Sequence, residues 1–330
     1  MNVIIFKKLL LLATITAFCL VVLGAYVRLS DAGLGCPDWP GCFGTLSVPE
    51  SQSAIENAEL NFPSQHIETA KAWKEMIHRY IAGFLGLMIF LIGIISYKNK
   101  KILRVNPIVP YAIVLLVIFQ ALLGMWTVTL LLKPIVVSAH LIGGMTTLGL
   151  LTFVTHRYWG KIQTNTLKYK YEILLVRFSL VVLFVQIFLG GWTSTNYAGL
   201  ACTDFPTCHG ALIPNLNFND AFDLFRDLGK LSDGSPLPLA VFETIQWIHR
   251  LGALITWLFF GYLASVILKY KTMRSLGYIL LFVITAQFIV GVANLLLHLP
   301  IILAVIHTLG AASLVVLAVI LNSRITKLRS

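Results

Sequence analysis

Two five-residue stretches hold the side chains best suited to chemistry: Glu75-Met76-Ile77-His78-Arg79 and Gln246-Trp247-Ile248-His249-Arg250. Each opens a long apolar run. Each is followed by a second histidine, His140 in the first half and His307 in the second. An imidazole inside an apolar run has lost much of its water and needs another partner. Which partner suits four such groups depends on the elements that carry them.

The chain has 330 residues, of which 58% are hydrophobic and 12% charged. That balance is too apolar for a soluble protein of this size. A hydrocarbon core about 30 Å thick needs about 20 apolar residues per helix. Eight runs qualify, near residues 9–27, 75–97, 108–130, 135–156, 173–193, 241–268, 274–297 and 301–321. They are far longer than barrel strands, so the sequence predicts an all-α membrane protein with eight transmembrane helices in a lipid bilayer.

The net charge of +11 does not mark a nucleic-acid binder, because 16 of the 25 basic residues fall on one side of the eight-helix layout. They are Lys7 and Lys8; Lys98, Lys100, Lys101 and Arg104; Arg157, Lys161, Lys168 and Lys170; Lys269, Lys271 and Arg274; Arg324, Lys327 and Arg329. This is the positive-inside pattern, and it puts both termini in the cytoplasm. The first run imitates a signal peptide, but its Leu23-Gly24-Ala25 end has a counterpart in the second half, so it is read as a retained helix. The expected compartment is the plasma membrane of a bacterium.

The sequence repeats. Gly24 recurs as Gly190, Gly33-Leu34 as Gly199-Leu200, and the Cys36–Gly44 loop as Cys202–Gly210, all at an offset of 166. Gln120, Gly124, His140 and Gly143 recur as Gln287, Gly291, His307 and Gly310 at 167, and His78 as His249 at 171. The expected architecture is two tandem four-helix bundles, residues 1–160 and 161–330, related by a pseudo-twofold axis along the membrane normal.

Each of the four histidines follows the outer end of an apolar run by one or two turns, which places it about 5–12 Å below the outer surface. Two per half at one depth, facing across a bundle core, is what bis-histidine haem ligation requires. Tetrahedral zinc would need further ligands at that depth. Arg79 and Arg250 follow the ligands of helices two and six and could pair with outward-pointing haem propionates. Glu75, one turn before His78, breaks the repeat, because its counterpart is Gln246. A carboxylate beside one haem alone suits proton transfer or stabilisation of developing positive charge. Cys36 and Cys42, and Cys202 and Cys208, lie in external loops, where each pair is expected to form a disulfide. A thiolate metal site or a redox-active pair is the alternative chemistry.

These features together resemble the haem A synthase family, the bacterial and mitochondrial enzymes that convert haem O to haem A. The resemblance covers nearly the whole chain and rests on the eight helices in two halves, the paired histidines, the Glu75-x-x-His78 motif and the cysteine-paired loops. It implies haem O, the substrate, between His78 and His140, and a haem b cofactor between His249 and His307. It also implies catalytic duty for Glu75, haem O synthase upstream and haem-copper oxidase assembly downstream. Mitochondrial members generally lack the loop cysteines, so the chain resembles the bacterial type. Oxidising a methyl to a formyl group removes four electrons, by two hydroxylations and loss of water, so a second, electron-relaying haem makes sense. No nucleotide-binding glycine loop is present, which leaves a protein or a quinone as electron partner. The rival classes are a dihaem b-type electron-transfer cytochrome, which leaves Glu75 against Gln246 unexplained, and a transporter or haem-delivery module, which calls for broken helices.

Overall fold

The computed structural model describes residues 3–103, 108–159 and 167–325. Arg104, Lys161, Lys327 and Arg329 of the topology pattern, and the expected 160/161 boundary, lie outside the described residues. Eight helices are long and apolar enough to cross a membrane: α1 (Val3–Leu29), α2 (Thr69–Lys98), α3 (Ile108–Thr129), α4 (Pro134–Trp159), α5 (Lys170–Thr195), α6 (Leu239–Leu268), α7 (Arg274–Leu296) and α8 (Ile301–Ile325). The shortest, with 22 residues, has a rise of about 33 Å. Among the described residues there is no β-strand, and the chain is an all-α multi-pass membrane protein.

The helices keep large apolar side chains on their outer faces. Leu87 is 71% exposed, Leu115 68% and Phe282 73%. Lipid tails are as apolar as these side chains, so outward burial in lipid replaces inward burial in a core. Helices then approach through small residues. A side chain at Gly93 on α2 would strike Val114 of α3, and one at Gly277 on α7 would strike Leu268 of α6.

Two compact units divide the chain, Met1–Thr147 and Leu148–Ser330. The division falls inside α4, because Gly149 packs on Val315 and Val319 of α8, and His156 Nδ1 lies 3.0 Å from Ser323 Oγ. His156 is thus half-buried and paired. Within the first unit α2 packs against both α1 and α3; within the second α6 packs against α5 and α7, and α8 against α5 and α7.

The two long polar segments carry short helices, Gln52–Asn61 with Ser51 as its N-cap, and Phe218–Ala221. The spanning helices α2 and α6 begin earlier than their apolar runs, at Thr69 and Leu239. His78 and His249 are therefore about 14–15 Å along their helices, against about 9 Å for His140 and His307. The polar opening turns of α2, with Thr69, Lys71 and Lys74, extend it beyond the apolar run, and Lys71 pairs there with Glu68 at 2.9 Å. Glu75 is accordingly not a first-turn residue.

Candidate functional site

The two imidazoles of each unit are close enough to interact electrostatically, His78 with His140 and His249 with His307. All four are half-buried. Each faces a helical glycine on a neighbouring helix. A Cβ at Gly24 would lie 3.0 Å from His78 Nε2, at Gly124 3.5 Å from His140, at Gly190 3.0 Å from His249 and at Gly291 3.1 Å from His307. A glycine here is a notch in the helix wall that a larger residue would fill.

The buried polar atoms beside the rings are incompletely satisfied. Among the described residues Nδ1 of His140 and of His307 makes no hydrogen bond of acceptable geometry, although the backbone carbonyls of Gln120 and Gln287 face them. An unsatisfied buried polar atom calls for an explanation, a missing ion or ligand among them. Paired neutral imidazoles, notches opposite them and orphaned ring nitrogens fit an iron porphyrin held by two histidines. Among the described residues one further cluster could hold a metal, Cys208, His209 and Glu243. The Cys208 sulfur is committed to a disulfide, so it is not a free thiolate.

Above each pair sits a loop closed by a disulfide, Cys36–Cys42 in the first unit and Cys202–Cys208 in the second. Both loops are built alike. Asp38 accepts from the N–H groups of Phe43 at 2.6 Å and Gly44 at 2.8 Å; Asp204 accepts from His209 at 2.6 Å and Gly210 at 2.9 Å. The Thr207 hydroxyl and the Gly210 N–H hold the Asp204 carboxyl well below the usual carboxylate range. Gly44 and Gly210 have φ of +76° and +80°, which favours glycine. A side chain at Gly35 would strike the backbone of Lys71 and Ala72, so the loop lies directly on α2.

Arg79 and Arg250 are turned to these loops. Arg79 Nη1 donates to the carbonyls of Asp38 at 2.9 Å, Pro40 at 3.3 Å and Gly41, and its Nη2 pairs with Glu75. Arg250 donates to the carbonyls of Asp204 at 2.9 Å, Thr207 at 2.9 Å and Cys202 at 2.7 Å. The sequence suggested propionates as partners, and it did not foresee that loop carbonyls would take up both terminal nitrogens of Arg250, or that loop carbonyls and Glu75 would share those of Arg79.

Glu75 is 5% exposed. Its Oε2 accepts from the Cys36 N–H at 3.0 Å. Gln246, 4% exposed, accepts from the Cys202 N–H and donates to the Gly199 carbonyl. Both residues anchor a loop, but only Glu75 also brings a negative charge, which Arg79 balances.

One residue near the paired histidines was missed by the sequence reading. Gln186 of α5 lies 3.0 Å from His249 Nδ1 through its amide nitrogen, and the same nitrogen donates to the His249 carbonyl at 3.1 Å. The signal was available, because a glutamine in the middle of an apolar span is unusual in itself.

Eight spanning helices, with two half-buried histidines in each unit and a disulfide-closed loop beside them, define a multi-pass membrane protein. The chain belongs to the COX15-CtaA family of cytochrome oxidase assembly proteins, whose family model matches residues 7–319. It is 41% identical over 315 residues to a heme A synthase of Shewanella oneidensis, covering 95% of this chain and 94% of that protein. A heme A synthase of Wolbachia pipientis is 29% identical over 325 residues, 90% of this chain and 91% of the relative. One of Rickettsia felis is 28% identical over 326 residues, 92% and 93% of the two chains.

Proposed function

We propose that this chain is an oxidoreductase that converts haem O to haem A, oxidising a methyl group on the rim of the macrocycle to a formyl group. The observation that carries the reading is the coincidence of a bis-histidine pair in each unit with near-full-length similarity to a protein named heme A synthase. Haem O is assigned to His78 and His140, and a resident haem b to His249 and His307. Charge breaks the tie between the halves, because the buried carboxylate of Glu75 stands beside the first pair and the neutral amide of Gln246 beside the second.

Methyl to formyl is a four-electron oxidation that also releases four protons when water supplies the oxygen. Two successive hydroxylations followed by loss of water reach the same product. Haem b, when bound, supplies one-electron transfer between the reacting centre and an external partner, another protein or a quinone. The residues supply the rest. His78 and His140 hold and orient the substrate through its iron. Glu75, three residues before His78 and so on the same helical face, takes a proton or stabilises positive charge at the rim. Arg79 and Arg250 fix the loops over the two pockets, and their Nε atoms remain as donors for a propionate. The apolar helix faces keep bulk water from the reacting carbon.

In this reading the chain lies in a bacterial plasma membrane with both termini cytoplasmic and the haem sites near the external face. It receives haem O from a haem O synthase and supplies haem A for assembly of a haem-copper oxidase. The test is to co-express the chain with a source of haem O and extract the haem from purified protein. Haem A is the expected product, and two equivalent haem b centres with no haem A would select a dihaem electron carrier. Alanine at His249 or His307 should remove the low-spin haem b spectrum. Alanine at His78 or His140 should chiefly stop turnover. Equal spectral loss from all four would overturn the division of labour.

A further inference from the structure

A glutamine of the second unit reaches the ring of His249, and the repeat gives His78 of the first unit no counterpart to it. Gln186 reaches the His249 ring and carbonyl, and Gln287 donates to the His307 carbonyl at 2.8 Å. Gln120 and Gln287 stand at one repeat position and differ only in which amide atom is turned to the glycine opposite, Gly143 or Gly310, so they do not distinguish the units. At the offset of 166 that aligns the two glycine notches, the counterpart of Gln186 is Leu20. The swap is coordinated with a second one. A side chain at Gly252 would strike Gln186, and the counterpart of Gly252, at the offset that aligns His78 with His249, is Ile81. Space for the glutamine is thus made on one unit, and both counterpart positions on the other carry aliphatic residues.

We infer that Gln186 is a positioning residue for the resident haem, accepting the Nδ1 proton of His249 through Oε1 when the imidazole ligates iron through Nε2. The inference rests on the reading that His249 is a haem ligand. An imidazole bound to iron through Nε2 carries its proton on Nδ1, and that proton needs an acceptor. The amide nitrogen lies at Nδ1 in the structure, while Oε1 is buried and has no partner. Turning the amide by half a revolution brings Oε1 to Nδ1 and matches acceptor to donor, while Nε2 moves beside Gly252 and gives up its bond to the His249 carbonyl. The His249 carbonyl keeps its place in the α6 hydrogen-bond ladder.

An acceptor on Nδ1 makes the imidazole a stronger donor to iron, which favours the ferric state and tightens the haem. This separates two needs that identical sites could not meet together. A cofactor must stay bound, and a substrate must leave once oxidised. Leu20 gives the His78 ring no acceptor, so a haem at that site is held less firmly.

The test uses the full-length protein in detergent micelles. Gln186→Leu, which copies the first unit, should raise the midpoint potential of the low-spin haem in an optical redox titration. It should also speed haem transfer to apomyoglobin about 10-fold, within the range typical for loss of such outer partners. Gln186→Glu, which keeps an acceptor, should restore slow transfer and lower the potential. Unchanged potential and transfer rate in Gln186→Leu would overturn the proposal, even if yield falls, because a merely structural glutamine moves yield alone. His249→Ala is the control for the underlying reading. If it leaves the haem b spectrum intact, the ligand assignment itself is wrong; if it removes the spectrum while Gln186→Leu changes nothing, only the role of Gln186 is wrong.

Discussion

Glu75 joins two jobs in one side chain, and a single substitution separates them. Its carboxylate anchors the Cys36 N–H and balances Arg79, while Gln246 anchors the Cys202 N–H with an amide oxygen. Glu75→Gln should therefore keep the loop in place, as the second unit already does with the same residue. If the carboxylate also moves protons, haem A formation should fall by about 10²–10⁴, with haem O or a hydroxylated intermediate accumulating. Haem extraction and chromatography measure this, and near-normal haem A would remove Glu75 from the chemistry. The asymmetry between Glu75 and Gln246 was legible in the sequence because the two residues sit at one repeat position. The loop contacts were not, since nothing in the sequence says that a carboxylate on α2 meets the backbone N–H of Cys36, 39 residues away. Gln186 escaped for a related reason. A search for repeated residues passes over a position where the repeat is broken by an apolar side chain.

The disulfide loops show what an element contributes beyond its residues. Cysteine spacing and compartment were enough to expect the two disulfides. The remaining supports of each loop, an aspartate bonded to two backbone N–H groups and an arginine spanning several carbonyls, depend on turn geometry that spacing does not encode. These supports limit what one disulfide is worth. Closing so short a loop stabilises by about 2 kcal/mol in the chain-entropy account. Cys36→Ser should lower yield and thermal stability by an amount of that order while haem b in the other unit stays bound, as read from the haem-to-protein ratio. Complete loss of haem would show that the loop shapes the pocket itself. In the second loop the depressed Asp204 pKa means that its bonds are fully present above its ordinary value of 3.8. They weaken only as the pH falls towards the lower folded value, so this loop should stay closed in mildly acidic medium.

At the scale of the molecule, hydropathy alone located all eight spans, because a bilayer demands uninterrupted apolar length and all backbone bonds closed within the helix. What it misjudged was where α2 and α6 begin. Apolar runs mark the hydrocarbon, and a helix continues beyond it wherever a loop packs against the extra turns. The depth of His78 and His249 follows from that extension. Orientation rests on charge. Lys7, Lys98, Arg157, Lys269 and Arg324 lie at the ends of spans remote from the disulfide loops, and each such basic cluster resists translocation. A reporter that works only outside the cytoplasm should be active when fused within 45–68 or 211–238, and silent when fused within 98–107, 157–169 or 269–273. The disulfides predict the same sidedness independently, since they persist on the oxidising side of a bacterial membrane. An active fusion in 98–107 would invert the molecule and place both histidine pairs at the cytoplasmic face.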